Sequence, residues 1–385
     1  MKKNYFLLLV GALLTVSILA GCCATPICTG NFAASTAQPA KKVRTGYFIG
    51  DGSNGSGVYY WAHMLHCAPA LDLTLLDAQD IQNGKLDDLD LLVIPGGSSA
   101  NQYRDITEKG GDKIREFVKK GGSYIGICAG FHCTLNKPDR FRLMPYTYRN
   151  GAGGYRAKLA IDINERGAKL MDIKPGRYWV SYSRGPISTE VKEWEHGKAE
   201  TLGIYRSTVS HIGRDSDFMN SPAVIYGNYG KGKVIATSFH PEMHRMNDPI
   251  SMGCIYAVTG VKTAPVYQQK VYRPIRVAFF TYTVNKEPIN QFLELDQVKE
   301  LDVRLISANE VAEGLLLHTD VLVLPDCEVT SKKDPLKYYH KDIAEFMNRG
   351  GKVIAGAKLT PYLTKHKNLT ILPSGSSFVK AALEK

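Results

Sequence analysis

The sequence predicts an α/β protein built on a parallel sheet, followed by a second α/β unit of the same kind. Three observations carry that expectation. Short apolar runs such as Leu91-Leu92-Val93-Ile94 alternate with amphipathic stretches. Strands buried on both faces read this way, and strand–helix alternation implies parallel pairing with right-handed crossovers. Gly- and Pro-rich breaks follow several of the runs, at the carboxyl ends of strands where ligands bind in such sheets. Finally, a pattern in the first half returns in the second.

The chain has 385 residues, enough for two or three domains. Lys2 and Lys3 precede an apolar run from Phe6 to Leu19, then Ala20, Gly21 and Cys22. A positive start, a short apolar core and small residues before a cysteine form an export signal, residues 1–21, with Cys22 as the expected site of acylation and so of attachment to a lipid membrane. Residues 22–42, rich in Ala, Thr, Ser and Pro, read as a flexible tether. The expected location is therefore the bacterial cell envelope, outside the cytoplasm.

The first α/β domain is expected over residues 43–265. Val43 to Ile49 reads as a strand, Val58 to Leu65 as helix, and Leu71 to Leu76 and Leu89 to Ile94 as further strands. Asp112 to Lys120 places Ile114, Phe117 and Val118 on one helical face and ends at Gly121-Gly122. Ser123 to Ile127 is the next strand, with Cys128 at its carboxyl end. Tyr155 to Val191 has the short alternating runs of an antiparallel insertion. Ala223–Ile225 and Val234–Ser238 form a hairpin that delivers His240.

A second unit is expected over residues 270–385, opening with a strand at Ile275–Phe280. Val321-Leu322-Val323-Leu324-Pro325 repeats Leu91 through Pro95, and Asp342 through Gly351 repeats Asp112 through Gly122 at nearly the same offset. In that register Ala357 falls where Cys128 stands, and Asp326-Cys327 where Gly96-Gly97 stand. The second unit is thus a degenerate copy without the nucleophile.

The net charge of +11 is scattered, without the basic runs and interleaved aromatics of a nucleic-acid binder, so no nucleic acid is expected. None of the eight cysteines lies in a paired CxxC pattern, so neither a structural zinc nor any other metal or cofactor is expected. Cys128 and Cys133, five residues apart on a helix, would point in different directions, so few or no structural bridges are expected. A redox thiol protein, a third reading, would need a resolving cysteine near Cys128, and Cys133 is the only nearby one.

The chemistry concentrates at Gly126-Ile127-Cys128-Ala129-Gly130. Glycines flanking a nucleophile allow a sharp strand-to-helix turn that presents the thiol above the sheet. The Ala129 N–H would then donate to a developing oxyanion, with a second donor from Gly96-Gly97. His240-Pro241-Glu242 supplies a base and an orienting carboxylate, which an extended segment would place on the same side. Asp51 and Ser53, beyond the first strand, are either substrate-facing or ordinary turn residues. Arg184 is either a carboxylate clamp at the pocket rim or a solvated loop residue. His132 and His244, near the motifs, are either substrate contacts or polar wall residues.

Ile94-Pro95-Gly96-Gly97, the Cys128 turn and Ser238-Phe239-His240-Pro241-Glu242 together resemble the three signature motifs of class I glutamine amidotransferase-like proteins. Gly122 through Gly130, with Asp51-Gly52-Ser53-Asn54-Gly55, is most similar to the domain at the N-terminus of eukaryotic biotin–protein ligases. The resemblance covers about Val43 to Thr259. It implies a flavodoxin-like, doubly wound fold, with Cys128 as nucleophile, His240 as base, Glu242 as its orienting group and oxyanion donors near Gly97 and Ala129. Phe131-His132 stand where glutamine-using members commonly carry a glutamine. The function expected from these features is an exported lipoprotein that hydrolyses amide or peptide bonds of a small-molecule or peptide substrate through a Cys128 thioester. The alternative is a non-catalytic lipoprotein that binds small molecules or peptides on the same fold.

Overall fold

The computed structural model describes residues 41–384, apart from 151–155, 191–193, 212–213, 217–218, 244–247, 283, 308–309, 312 and 327–335. The expected export signal, Cys22 and most of the tether lie outside the described residues, as do His244 and Cys327. Residues 41–385 form one compact unit. The protein is α/β, with a large sheet that is parallel in its first part and a second, wholly parallel sheet.

The large sheet begins as alternation dictates. β1 (Val43–Phe48), α1 (Ser56–Cys67), β2 (Leu71–Leu76), α2 (Ala78–Gln82), β3 (Leu91–Ile94), α3 (Ser99–Lys120), β4 (Ser123–Ile127) and α4 (Ala129–Thr134) follow one another. Then come β5 (Tyr146–Asn150), β6 (Ala157–Ile163), α5 (Glu165–Met171), β7 (Gly176–Tyr182), β8 (Ile187–Glu190), β9 (Ala199–Tyr205), β10 (Val209–His211), β11 (Arg214–Ser216), β12 (Pro222–Tyr229), β13 (Gly232–Thr237) and α6 (Asp248–Thr259). The strand order is β2-β1-β3-β4-β13-β12-β9-β6-β7, parallel as far as β13 and antiparallel beyond it. β5 pairs with β8, and β10 with β11, as separate ribbons.

Successive side chains of a strand fall on opposite faces, so the apolar strands feed two cores. Tyr47, Val93, Ile125 and Ile127 join one, with Trp61 of α1 and Cys254 of α6. Phe48, Leu92, Ile94 and Tyr124 join the other, with Ile114 and Phe117 of α3.

The helix expected from Asp112 starts earlier, at Ser99. Ser98 caps it by accepting the Asn101 N–H at 3.4 Å, and its two runs meet at Thr107, whose φ is 63°. Residues 99–111 are mostly polar and include the Gly110-Gly111 pair, which hid the first run. α5 was also missed; Asn164 caps it by accepting the Gly167 N–H at 2.7 Å. The β12–β13 hairpin is present, and its second strand lies parallel beside β4.

The second sheet has β14 (Ile275–Phe280), α7 (Lys286–Asp296), β15 (Leu301–Ile306), β16 (Val321–Leu324), a helix His340–Asn348, β17 (Lys352–Gly356) and β18 (Leu369–Leu372), in the order β15-β14-β16-β17-β18. It repeats the first in detail. Arg44 donates to Asp90 from its backbone N (3.0 Å), Nε (3.0 Å) and Nη2 (2.7 Å), and Arg276 does the same to Asp320 at 2.8, 3.0 and 2.7 Å. Phe117 closes over Gly122 as Phe346 closes over Gly351.

One apolar core joins the sheets across α1 and α7. The Tyr59 ring lies 5.8 Å from those of Phe279 and Phe292. Within it, buried His63 Nε2 meets Asp296 Oδ2 at 2.7 Å, while at the rim Lys286 reaches Asp77 at 2.8 Å.

Candidate active site

The site is built at the carboxyl ends of β4 and β13. β4 stops at Ile127 and α4 starts at Ala129, so Cys128 alone turns the chain, at φ 51° and ψ −97°. That conformation is sparsely populated for a residue with a side chain. Its surroundings enforce it. The Cys128 N–H donates to the Thr237 carbonyl at 2.8 Å, and its carbonyl accepts the His132 N–H at 3.1 Å. The flanking glycines make the turn possible: a Cβ on Gly126 would lie 2.5 Å from the Gly130 oxygen, and one on Gly130 would lie 2.1 Å from the Ile94 oxygen.

His240 is fixed by its backbone, which donates to the Ser181 carbonyl at 2.8 Å, and by Glu242 Oε1, 2.7 Å from Nδ1. Its ring also interacts with the Cys128 side chain, which favours the charged imidazole. Burial works against the charged imidazole, but Glu242 and Cys128 outweigh it and hold its pKa well above the usual histidine range. The segment between the two residues is not extended as expected. Pro241–Met243 is a single 3-10 turn, which proline's fixed φ suits at its first position. The tight turn still brings the carboxylate onto the imidazole.

Glu242 is buried, and a Cβ on Gly57 would lie 2.5 Å from its Oε1. Gly57 is in the first turn of α1, where the partial positive charge of a helix N-terminus favours a carboxylate.

Cys128 Sγ also lies 3.3 Å from the Ser183 carbonyl, and Tyr182 and Tyr205 pack edge to face nearby, with ring centroids 6.1 Å apart. Desolvation raises the pKa of both phenols.

The structure thus brings Cys128, His240 and Glu242 together. Ala129 is buried at the first position of α4. A Cβ on Gly96 would lie 2.4 Å from His240 Cε1, so the glycine makes room for the imidazole. Gly97, at φ 142°, packs its Cα against the Gly52 carbonyl. Asp51 is exposed, accepts its neighbour Gly52 N–H at 2.8 Å, and has its own N–H bound to Asp105 at 2.7 Å, which is turn chemistry. The Arg184 side chain is exposed, and its backbone hydrogen-bonds to the ring of His132. His132 stacks on Tyr148 with centroids 5.3 Å apart; burial, then the charge of Arg140, lowers its pKa to about 4. Ser183, Gly57 and Tyr205 had no motif to mark them. Cys133 points into the opposite core, toward Gln102 at 3.7 Å, and burial pushes its thiol up to about 12. Cys67, Cys128, Cys133 and Cys254 are free. Among the described residues no cluster of His, Cys, Asp or Glu could hold a metal ion.

Residues 63–137, which carry the Cys128 turn, match the family model of the biotin–protein ligase N-terminal domain. A biotin–protein ligase from Schizosaccharomyces pombe is 28% identical over 184 residues, covering 42% of this chain. The match spans about a quarter (26%) of that ligase's length. Among solved structures, PurLQS from Thermotoga maritima matches 56% of this chain and 98% of its own at 16% identity and a TM-score of 0.41. A β-galactosidase from Bacillus circulans sp. alkalophilus matches 60% of this chain and 32% of its own at 13% identity and 0.37. Likeness at these scores assigns nothing. The sequence matches overturn the expectation of an amide- or peptide-bond hydrolase: what the chain is similar to is a ligase. They give the binding-lipoprotein alternative no better footing.

Proposed function

We propose that this chain is an enzyme of the biotin–protein ligase type that transfers an acyl group through Cys128. The observation that carries this reading is the strained Cys128 turn beside an imidazole that Glu242 holds at 2.7 Å. A cysteine presented this way, in the Cys…His-x-Glu order of amidotransferase-like proteins, suits acyl-transfer chemistry. His240, kept protonated by Glu242, holds the thiol proton while Sγ attacks the carbonyl carbon of an activated acyl donor. It returns that proton to the leaving group as the donor bond breaks. An amine then attacks the thioester, an amide forms, and the thiol is restored. Glu242 supports the protonated imidazole between these steps. The ligase match favours an amine as acceptor, and biotin is the acyl group the relative's name suggests.

Incubation with biotinyl adenylate tests the reading. A hydroxylamine-labile biotinyl adduct on Cys128 is expected, passing to an added lysine peptide. Cys128→Ala abolishes it, and His240→Ala slows it by roughly 100-fold. Absence of the adduct, or its loss to water alone with no amide formed, overturns the proposal.

A further inference from the structure

The end of the large sheet opposite Cys128 holds a concavity of about 560 Å³ lined by Lys41, Lys42, Lys120, Lys231 and Lys233, with Gly121, Gly122 and Ser123 at its floor. These lysines are scattered in the sequence. The fold gathers them because each stands just before a parallel strand or at the end of the helix that precedes one: Lys41 and Lys42 before β1, Lys120 at the end of α3, Lys231 and Lys233 around the start of β13. The Lys231 N–H donates to the Lys119 carbonyl at 3.0 Å, which ties two of these segments together. All but the half-buried Lys233 are exposed.

Nearby acids do not cancel the charge. Asp90 is taken by Arg44, and Glu116 by Lys120 at 2.7 Å. Asp87 and Asp88 remain, against Lys41, Lys42, Lys119, Lys231 and Lys233.

The chain outside the described residues joins this face. The apolar run Phe6–Leu19 is linked to Lys41 by about 20 residues, a reach of at most roughly 70 Å. A bilayer holding that run lies within range of the lysines, and anionic headgroups attract such clusters within a Debye length of the surface. Cys128 follows the far end of β4, so a protein seated on this face keeps its site open to solution.

We propose that the Lys41–Lys42–Lys120–Lys231–Lys233 face docks on an anionic phospholipid surface. The proposal rests on the apolar N-terminal segment being membrane-associated; it needs neither acylation of Cys22 nor the acyl-transfer reading.

Full-length protein is mixed with phosphatidylcholine vesicles, with or without phosphatidylglycerol, floated, and labelled with an impermeant amine-reactive reagent. Mass spectrometry reads each lysine. Labelling of the five is expected to fall about tenfold or more with phosphatidylglycerol, with Lys341 and Lys365 unchanged, and high salt restores it. The exposed reversal K120E/K231E/K233E is expected to remove the protection at Lys41 and Lys42 while leaving the melting curve in place. Equal labelling on both vesicles, or protection that survives the reversal, overturns docking. Equal protection by glycerol phosphate on neutral vesicles overturns it in favour of a soluble phosphate ligand. A chain that floats with neither vesicle overturns it together with the membrane association of the N-terminus, whatever the adduct assay shows.

Discussion

At the scale of single residues, the site depends on one strained backbone and one missing side chain. A side chain at φ 51°, ψ −97° costs about 1–3 kcal/mol. Glycine relieves that strain, at a loss of about 0.5–1 kcal/mol from greater freedom of the unfolded chain. Cys128→Gly is therefore expected to be more stable than Cys128→Ala by about 1 kcal/mol in urea unfolding, and an alanine variant of equal or greater stability would refute the strain. Gly96→Ala puts a methyl 2.4 Å from His240 Cε1, which pushes the ring off Cys128. Iodoacetamide alkylation of Cys128 at neutral pH is expected to slow by roughly tenfold or more, with the thermal unfolding curve still cooperative. An unchanged rate would show that Gly96 does not set the ring's position. Cys128, His240 and Glu242 were legible because their chemistry requires those side chains at that spacing. The parts played by Gly96, Gly57 and the Ser183 carbonyl were not, since they consist of empty space and backbone oxygen.

At the scale of elements, the strands were read best. β2, β4, β14 and β16 have the bounds their apolar runs predict; in β4 and β16, buried along their whole length, burial on both faces leaves little choice of residue. The early half of α3, with its glycine pair, and the short α5 were lost because capping side chains rather than apolar stripes mark them. No pattern announced the contact between α1 and α7 either. There Asp296, with help from Cys67, outweighs the burial of His63 and raises its pKa to about 9, while burial opposes but His63 and Lys270 together lower that of Asp296. A histidine whose folded pKa is raised contributes stability that is complete below its unfolded pKa of about 6.5 and is lost as pH climbs through about 9. The loss amounts to about 3 kcal/mol at most. Urea midpoints measured across that range should fall for the natural protein. They should stay nearly level, from a lower start, for His63→Gln. A His63→Gln curve that falls as steeply would assign the alkaline loss to other groups.

For the molecule as a whole, the shared core between the sheets makes the second unit a support for the first. Tyr59 of α1 is covered by Phe279 and Phe292, and removing the second sheet uncovers Tyr59 to water. Residues 41–265 expressed alone are expected to bind a hydrophobic dye and to unfold at least about 10 °C below the full chain, since an uncovered apolar face loses about 25 cal/mol per Å². A fragment as stable as the whole would show that the sheets are independent.

The repeated unit also carries a consequence for its own history. Its turn has Ala357 in place of the thiol, and the buried Asp326 carboxylate accepts the Lys358 N–H at 3.1 Å. A Cβ on Gly356 would lie 1.9 Å from that carboxylate oxygen. The donor and the room that a reacting group would use are already taken by an internal anion. Restoring cysteine at 357 alone would set a thiol beside a resident negative charge. Removing Asp326 alone would leave the Lys358 amide unbonded and a hole against Gly356. Each single change is unfavourable, so the second turn does not gain a thiol in the setting of Cys128 by one substitution.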